Sequence, residues 1–380
     1  VVVAAALVAA ASLGAPSAGA SRFIQKGIYD DAQILYGNPD RVFYELGLMK
    51  TQVIRVNLWW GGPTGVSVAK RRPANAADPE DPAYDWATYD RTVRFAAVFR
   101  MQPMFSIVGT PGWANRAKGW NAAPSNPQDL RLFAAAAQRR YSGAYRLPDG
   151  TVLPRVGLWT AWNEPNNPVF LKPQYVRSGG AWVIQSAKDY GAICNAVVEG
   201  VKASRKASKV ACGVTAPRGN NQPGTIRSSV SPLAFLRAMW SAGARGFDAY
   251  AHHPYYGTPA ETPSTPPPPG KRGQPPTAVT LGNFDTLVKE LKRLYGNKRI
   301  WVTEYGYQTN PPDRLFGVSP ERQALYMKEA WDTVRAHPLV DYFIWFLVRD
   351  EQRLEGWQSG VFTKGWKRKP SRETFERLVR

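Results

Sequence analysis

Eight short apolar stretches rich in β-forming residues, each followed by a helical pattern, recur along the 380-residue chain, and this alternation limits the possible folds more than any other feature. The strand-like stretches are residues 23–29, 52–59, 103–108, 156–162, 209–214, 247–252, 299–303 and 340–346. The helical patterns that follow them are 39–49, 85–100, 127–141, 181–204, 232–242, 283–295, 320–335 and 371–378. Strict strand–helix alternation predicts a parallel sheet, and eight repeats predict a closed (β/α)8 TIM barrel, an α/β fold built as a single domain over residues 21–380. The competing arrangement is an open doubly wound sheet. Its Gly-x-Gly-x-x-Gly turn does not follow the first strand.

Two loops interrupt the pattern, residues 61–82 and 258–277. The second contains four consecutive prolines, Pro266 to Pro269, and reads as an extended, polyproline-like insertion after the sixth strand. Both loops follow strand C-termini, the face on which barrel enzymes carry their sites.

Residues 1–20 read as a secretory signal: an apolar run over 1–11 is followed by the small-residue cleavage site Ala18-Gly19-Ala20. The expectation is cleavage after Ala20 and export. The run is too short to span a bilayer, and the rest of the chain offers no span candidate. Cys194 and Cys212 are the two cysteines; in an exported protein they form either one disulfide or two small core residues. The net charge of +20 favours polyanions, but the basic residues are dispersed and the densest cluster is Lys367-Arg368-Lys369. That describes a generally basic surface rather than a specific nucleic-acid site. Oligomeric state is left open.

In a barrel, chemistry is read from what each strand ends on. The second strand delivers Arg55 and Asn57, then Trp59-Trp60; the third leads to Trp113; the fourth ends at Asn163-Glu164-Pro165-Asn166. The sixth ends at His252-His253-Pro254-Tyr255, the seventh at Thr303-Glu304-Tyr305-Gly306, and the eighth carries Trp345. Pro165 stops the fourth strand, so Glu164 is a carboxylate presented at a strand end. Two carboxylates, Glu164 and Glu304, thus converge on one mouth among aromatic residues, an arginine and a histidine. Glycosidic cleavage needs such a pair, one protonated to donate to the leaving oxygen and one ionised to attack or stabilise the anomeric centre. Aromatic faces suit sugar rings. By strand alternation, Trp59 and Trp60 cannot both face the mouth.

The strings Trp162-Asn163-Glu164-Pro165-Asn166 and Thr303-Glu304-Tyr305-Gly306 together resemble the signature pair of glycoside hydrolase clan A, the retaining barrel glycosidases, over the whole predicted barrel. The resemblance looks closest to the cellulase-like or xylosidase-like families. It implies that Glu164 is the acid/base and Glu304 the nucleophile, with carboxyl groups about 5–5.5 Å apart. It further implies that Asn163 holds a sugar 2-hydroxyl, that Arg55 sits beside the nucleophile, that His253 and Tyr255 form the His-x-Tyr pair, and that Trp345 is a platform under the reacting sugar. Trp59 and Trp113 are further candidate sugar contacts. No cofactor or metal is implied; the chain has only three histidines and lacks both a Gly-x-Ser-x-Gly elbow and a phosphate-binding loop. The expected partner is a poly- or oligosaccharide. The rival is a non-catalytic carbohydrate- or wall-binding barrel.

Overall fold

A computed structural model describes residues 24–378 apart from 64, 205–206 and 271–272, so the secretory leader read at 1–20 lies outside the described residues. Eight parallel strands close into a barrel in chain order: Gln25–Tyr29, Val53–Trp59, Gln102–Val108, Leu158–Ala161, Lys209–Thr215, Ala249–His252, Arg299–Tyr305 and Val340–Phe346. The first strand pairs with the eighth, so the barrel has no free edge. This is the predicted (β/α)8 architecture. The open-sheet alternative falls with the closure.

Several helix starts are written locally. The helices Pro39–Leu48, Pro127–Arg140 and Pro320–Arg335 each place proline in the first turn. Each follows an Asn or Ser whose side chain accepts from a backbone N–H of that turn. One boundary departs from expectation. The helix predicted from residue 181 begins at Gln185; Tyr175–Ser178 and Ala181–Ile184 instead form an antiparallel hairpin. Gly179 and Gly180 both adopt positive φ, the conformation a tight hairpin turn requires, and Trp182-Val183 suits a strand.

Strand residues alternate between two apolar layers. Val53, Met104, Leu158, Ala211, Ala249, Trp301 and Ile344 fill the barrel interior. Ile54, Val56, Phe105, Trp159, Val210, Tyr250, Val302 and Phe343 pack outward beneath the helices. Two irregularities break this alternation near the mouth. In the seventh strand, Val302 and Tyr305 pair with Phe343 and Trp345, so one extra residue is accommodated there. In the fifth, Gly213 and Thr215 pair with Ala251 and His252 in the same manner. Such bulges re-aim side chains. The one in the seventh strand lets Thr303 and Glu304 both face inward while Tyr305 returns to the outer layer.

Cys194 and Cys212 are bonded, tying the helix Gln185–Ser204 to the fifth strand. The root of the proline-rich insertion is pinned to the mouth-side loops: Glu261 accepts from Gly257 N at 2.8 Å, and its carbonyl accepts from the Tyr307 hydroxyl at 2.7 Å. Among the described residues, no helix is long and apolar enough to cross a membrane.

Candidate active site

Arg55 is the hub of the barrel mouth. It projects inward from the second strand, has no exposed surface, and spends its guanidinium on four acceptors. Nη1 donates to Glu304 Oε1 at 2.6 Å and to the Thr303 carbonyl at 3.1 Å. Nη2 donates to Asn163 Oδ1 at 2.7 Å, and Nε to Ser106 Oγ at 2.9 Å. Thr160 donates to the same Ser106 oxygen at 2.7 Å, extending the network to the fourth strand. The guanidinium also lies 4.5 Å from the centre of the Tyr29 ring. Because the Asn163 oxygen faces Arg55, its NH2 group is the end left for the cleft.

Glu304 is thus held by a buried cation on one oxygen, and its other oxygen accepts from the Tyr255 hydroxyl at 3.1 Å. Glu164 sits across the mouth with different company. Its Oε2 accepts from Asn167 Nδ2 at 3.0 Å, and its Oε1 lies 3.0 Å from His253 Nδ1. Burial raises the Glu164 carboxyl to about 7, with the Asn167 hydrogen bond and the charge of Arg55 pulling the other way. His253 lies between the carboxylates: the same Nδ1 is 3.7 Å from Glu304 Oε1, while Nε2 is 3.0 Å from Thr303 Oγ1. Burial lowers its imidazole to about 3, leaving the ring neutral. Glu164, His253 and Glu304 each place one such atom within 4.8 Å of the others, so a carboxylate oxygen of Glu164 lies within 4.8 Å of one of Glu304. A metal would find three donor atoms there, but it would also meet the Arg55 charge, which already occupies Glu304.

The backbone at the mouth is strained. Trp162, Glu164 and Val214 adopt φ of 69°, 39° and 47°, a region L-residues avoid. The Glu164 N–H donates to the Val214 carbonyl at 2.8 Å, locking the end of the fourth strand onto the bulged fifth.

The cleft enclosing both carboxylates has a volume of about 370 Å³. Of the residues singled out from sequence, Arg55, Asn163, Glu164, His253, Tyr255 and Glu304 meet in this one network. Trp59 is half-buried outside the cleft lining and connects to it through Trp120, which it meets edge-on at 5.4 Å and which in turn meets Phe170 of the cleft wall at 6.2 Å. Its neighbour Trp60 is buried in the outer core, as strand parity requires. Trp113 is elsewhere: its indole donates to the Ala69 carbonyl at 3.0 Å and packs edge-on against Trp60. Trp345, expected as the platform, also faces away. It is fully buried in the outer layer and donates to the Ser359 carbonyl at 2.9 Å. Inward parity in the eighth strand belongs to Ile344 and Phe346, and Phe346 lines the cleft. His252 likewise points outward, between Thr215 and the Val279 carbonyl.

Sequence reasoning missed Tyr29, Asn167, Phe170, Arg218 and Trp357 of the cleft lining. Tyr29 was within reach, as the last residue of the first strand. The other four lie on loops, where periodicity gives no signal.

Residues 278–365 match the family described as Glycosyl hydrolase catalytic core. A comparison with curated proteins finds no match. Among solved structures, a family 39 glycoside hydrolase from Bacteroides cellulosilyticus is 18% identical over 93% of this chain and 62% of its own, with a TM-score of 0.63. A monomeric β-xylosidase from Caulobacter crescentus is 15% identical over 95% of this chain and 69% of its own, with a TM-score of 0.60. Fungal β-1,4-galactanases are 14% identical over 94% of this chain and 100% of theirs, with a TM-score of 0.59. The chain therefore spans 62% and 69% of the length of the first two. These likenesses establish the fold, and the catalytic-core match runs from the helix after the sixth strand through the eighth strand, so it includes Glu304 and not Glu164.

Proposed function

We propose that this protein, whose barrel and catalytic-core match fit the clan A resemblance read from its sequence, is an exported retaining O-glycoside hydrolase acting on β-linked poly- or oligosaccharides. The observation that carries the reading is the pairing of two carboxylates within 4.8 Å in unlike surroundings. One is bound by a buried guanidinium and a phenol; the other is half-buried at the mouth, with its carboxyl raised to about 7. Carboxylate oxygens no more than 4.8 Å apart favour direct attack by the enzyme; an inverting enzyme needs room for a water, roughly 6.5–9.5 Å between the carboxyl groups. The β-linkages in the names of the xylosidase and galactanase neighbours support the choice of bond, and the Cys194–Cys212 disulfide supports the export expected from the leader.

In this mechanism Glu304 attacks the anomeric carbon while Glu164 gives its proton to the departing oxygen. The glycosyl–Glu304 ester forms as the C–O bond to the leaving group breaks. Glu164, now ionised, takes a proton from water, and that water displaces Glu304 with a second inversion, so configuration is retained. Arg55 and the Tyr255 hydroxyl each bind one oxygen of Glu304 and fix the orientation of its carboxyl group. The Asn163 NH2 faces the sugar from the floor of the cleft.

Incubation with a panel of 2-fluoro β-glycosides bearing a dinitrophenolate leaving group, followed by peptide mapping, tests the assignment. The expected label is on Glu304. A label on another residue, or no time-dependent inactivation by any sugar in the panel, overturns it.

The pH profile provides a second test. A general acid works in its protonated form, so kcat/KM for a phenyl glycoside is expected to hold below pH 7 and to fall about tenfold per unit above about 7 as Glu164 ionises. In Glu164→Gln that alkaline limb should vanish. A limb that persists in the variant assigns it to another group.

A further inference from the structure

The wall of the cleft continues past Trp357. Its indole packs against Tyr255 at 5.2 Å and Phe346 at 5.3 Å, is 37% exposed, and lines two cavities at once. One is the cleft holding Glu164 and Glu304; the other is a groove of about 880 Å³ between the loops that follow the seventh and eighth strands. Gln308, Leu315, Phe316, Leu354 and Glu355 line that groove.

These loops are built, not frayed. Asp313 Oδ1 accepts from the N–H groups of Leu315 and Phe316 at 2.8 and 3.1 Å. The Tyr256 hydroxyl donates to the Phe316 carbonyl at 2.8 Å. Gln308 Oε1 accepts from Gln358 N at 3.0 Å, and Glu351 Oε2 from Trp357 N at 2.7 Å. Yet the lip they support is apolar and open: Leu315 is 79% exposed, Leu354 56% and Phe316 49%. Apolar side chains gathered at an open lip, with an amide and a carboxylate at its edges, suit the C–H faces and hydroxyl rims of sugar rings.

Position gives the direction of the chain. The departing group leaves beside Glu164, on the side of Asn167 and Phe170. The groove opens past Phe346 and Trp357, above the seventh and eighth strands, and the eighth strand lies across the closed ring of eight from the fourth, which carries Glu164. We infer that it is a glycone-side binding site, which takes at least one further sugar unit on the non-reducing side of the scissile bond, with Trp357 as the shared wall between that unit and the reacting ring. The inference rests on the glycosidase reading and narrows its substrate to chains, with the retained portion longer than a monosaccharide.

The test uses 4-nitrophenyl β-glycosides with a fixed aglycone and glycones of one, two and three units in the xylose, glucose and galactose series. In the series that is cleaved, lengthening the glycone should raise kcat/KM roughly tenfold or more. Leu315→Ser combined with Phe316→Ser should reduce that gain to about twofold while changing the monosaccharide rate less than about twofold; both residues lie outside the catalytic network and are exposed. No gain on lengthening, a gain that survives the double substitution, or a gain found only when the aglycone is extended overturns the assignment while leaving the glycosidase reading intact. If no series is cleaved, the glycosidase reading itself fails and the groove assignment falls with it.

Discussion

Glu304→Gln should lower kcat on a dinitrophenyl glycoside by roughly 10⁴–10⁶-fold, the scale of losing a nucleophile that acts as part of a unit. The substitution is nearly isosteric. The amide oxygen can still accept from Arg55, and the amide NH2 can face the Tyr255 hydroxyl, which turns to accept. Folding and sugar affinity should therefore survive, and a thermal melt with a binding titration of a competitive sugar checks both. The contrast matters because Arg55 has no exposure: removing the carboxylate outright, as in Glu304→Ala, leaves a buried guanidinium without its counter-charge and would mix a stability loss into the kinetics. A Glu304→Gln enzyme within tenfold of wild type would remove the nucleophile from its proposed role and favour a non-catalytic sugar-binding barrel.

Glu164→Ala should behave differently, and the difference depends on the leaving group. On a phenyl glycoside, whose oxygen needs a proton to depart, kcat/KM should drop about 10²–10⁴-fold, or roughly 2.7–5.5 kcal/mol of transition-state stabilisation. On a dinitrophenyl glycoside the first step needs little acid help, so kcat/KM should change far less while kcat falls, because water is no longer deprotonated and the glycosyl enzyme accumulates. Azide, which needs no base, should restore turnover and release a glycosyl azide of retained configuration. Equal losses on both glycosides, without azide rescue, would mean that Glu164 shapes the cleft and transfers no proton.

Much of the barrel was legible because its signal is periodic. Apolar strand stretches ending in polar residues fixed both the strand order and the residues at the mouth, and Arg55, Asn163, Glu164, His253, Tyr255 and Glu304 all arrive there. What was not legible was parity. A step of one residue along a strand turns a side chain from the mouth to the helix layer, and this separates Phe346 from Trp345. Bulges add to the difficulty. Glu304 faces the mouth only because the seventh strand carries an extra residue, and no sequence pattern marks it. Trp159 and Trp162, the indoles beside Glu164 in sequence, are buried in the outer core, so the aromatic company expected at the mouth comes from other residues, among them Phe170, Phe346 and Trp357. The hairpin before the helix Gln185–Ser204 was concealed by an apolar run that suits either element; the Gly179-Gly180 pair was the overlooked clue.

The network around Arg55 comes from a different part of the molecule than most of the residues that wall the cleft and the groove beside it. Arg55, Ser106, Thr160 and Thr303 belong to barrel strands, and each is fixed by neighbours on both sides. Phe170, Arg218, Phe316, Leu354 and Trp357 belong to the connections above. Under the proposed reading, evolution or an engineer can rewrite these rim positions, changing which polymer is admitted and how far it reaches, while the strand-borne network around Arg55 and the loop contacts of Asn167, His253 and Tyr255 to the carboxylates are kept. New specificity in this architecture would be a matter of carpentry on the rim, with the strand-borne frame beneath it left in place.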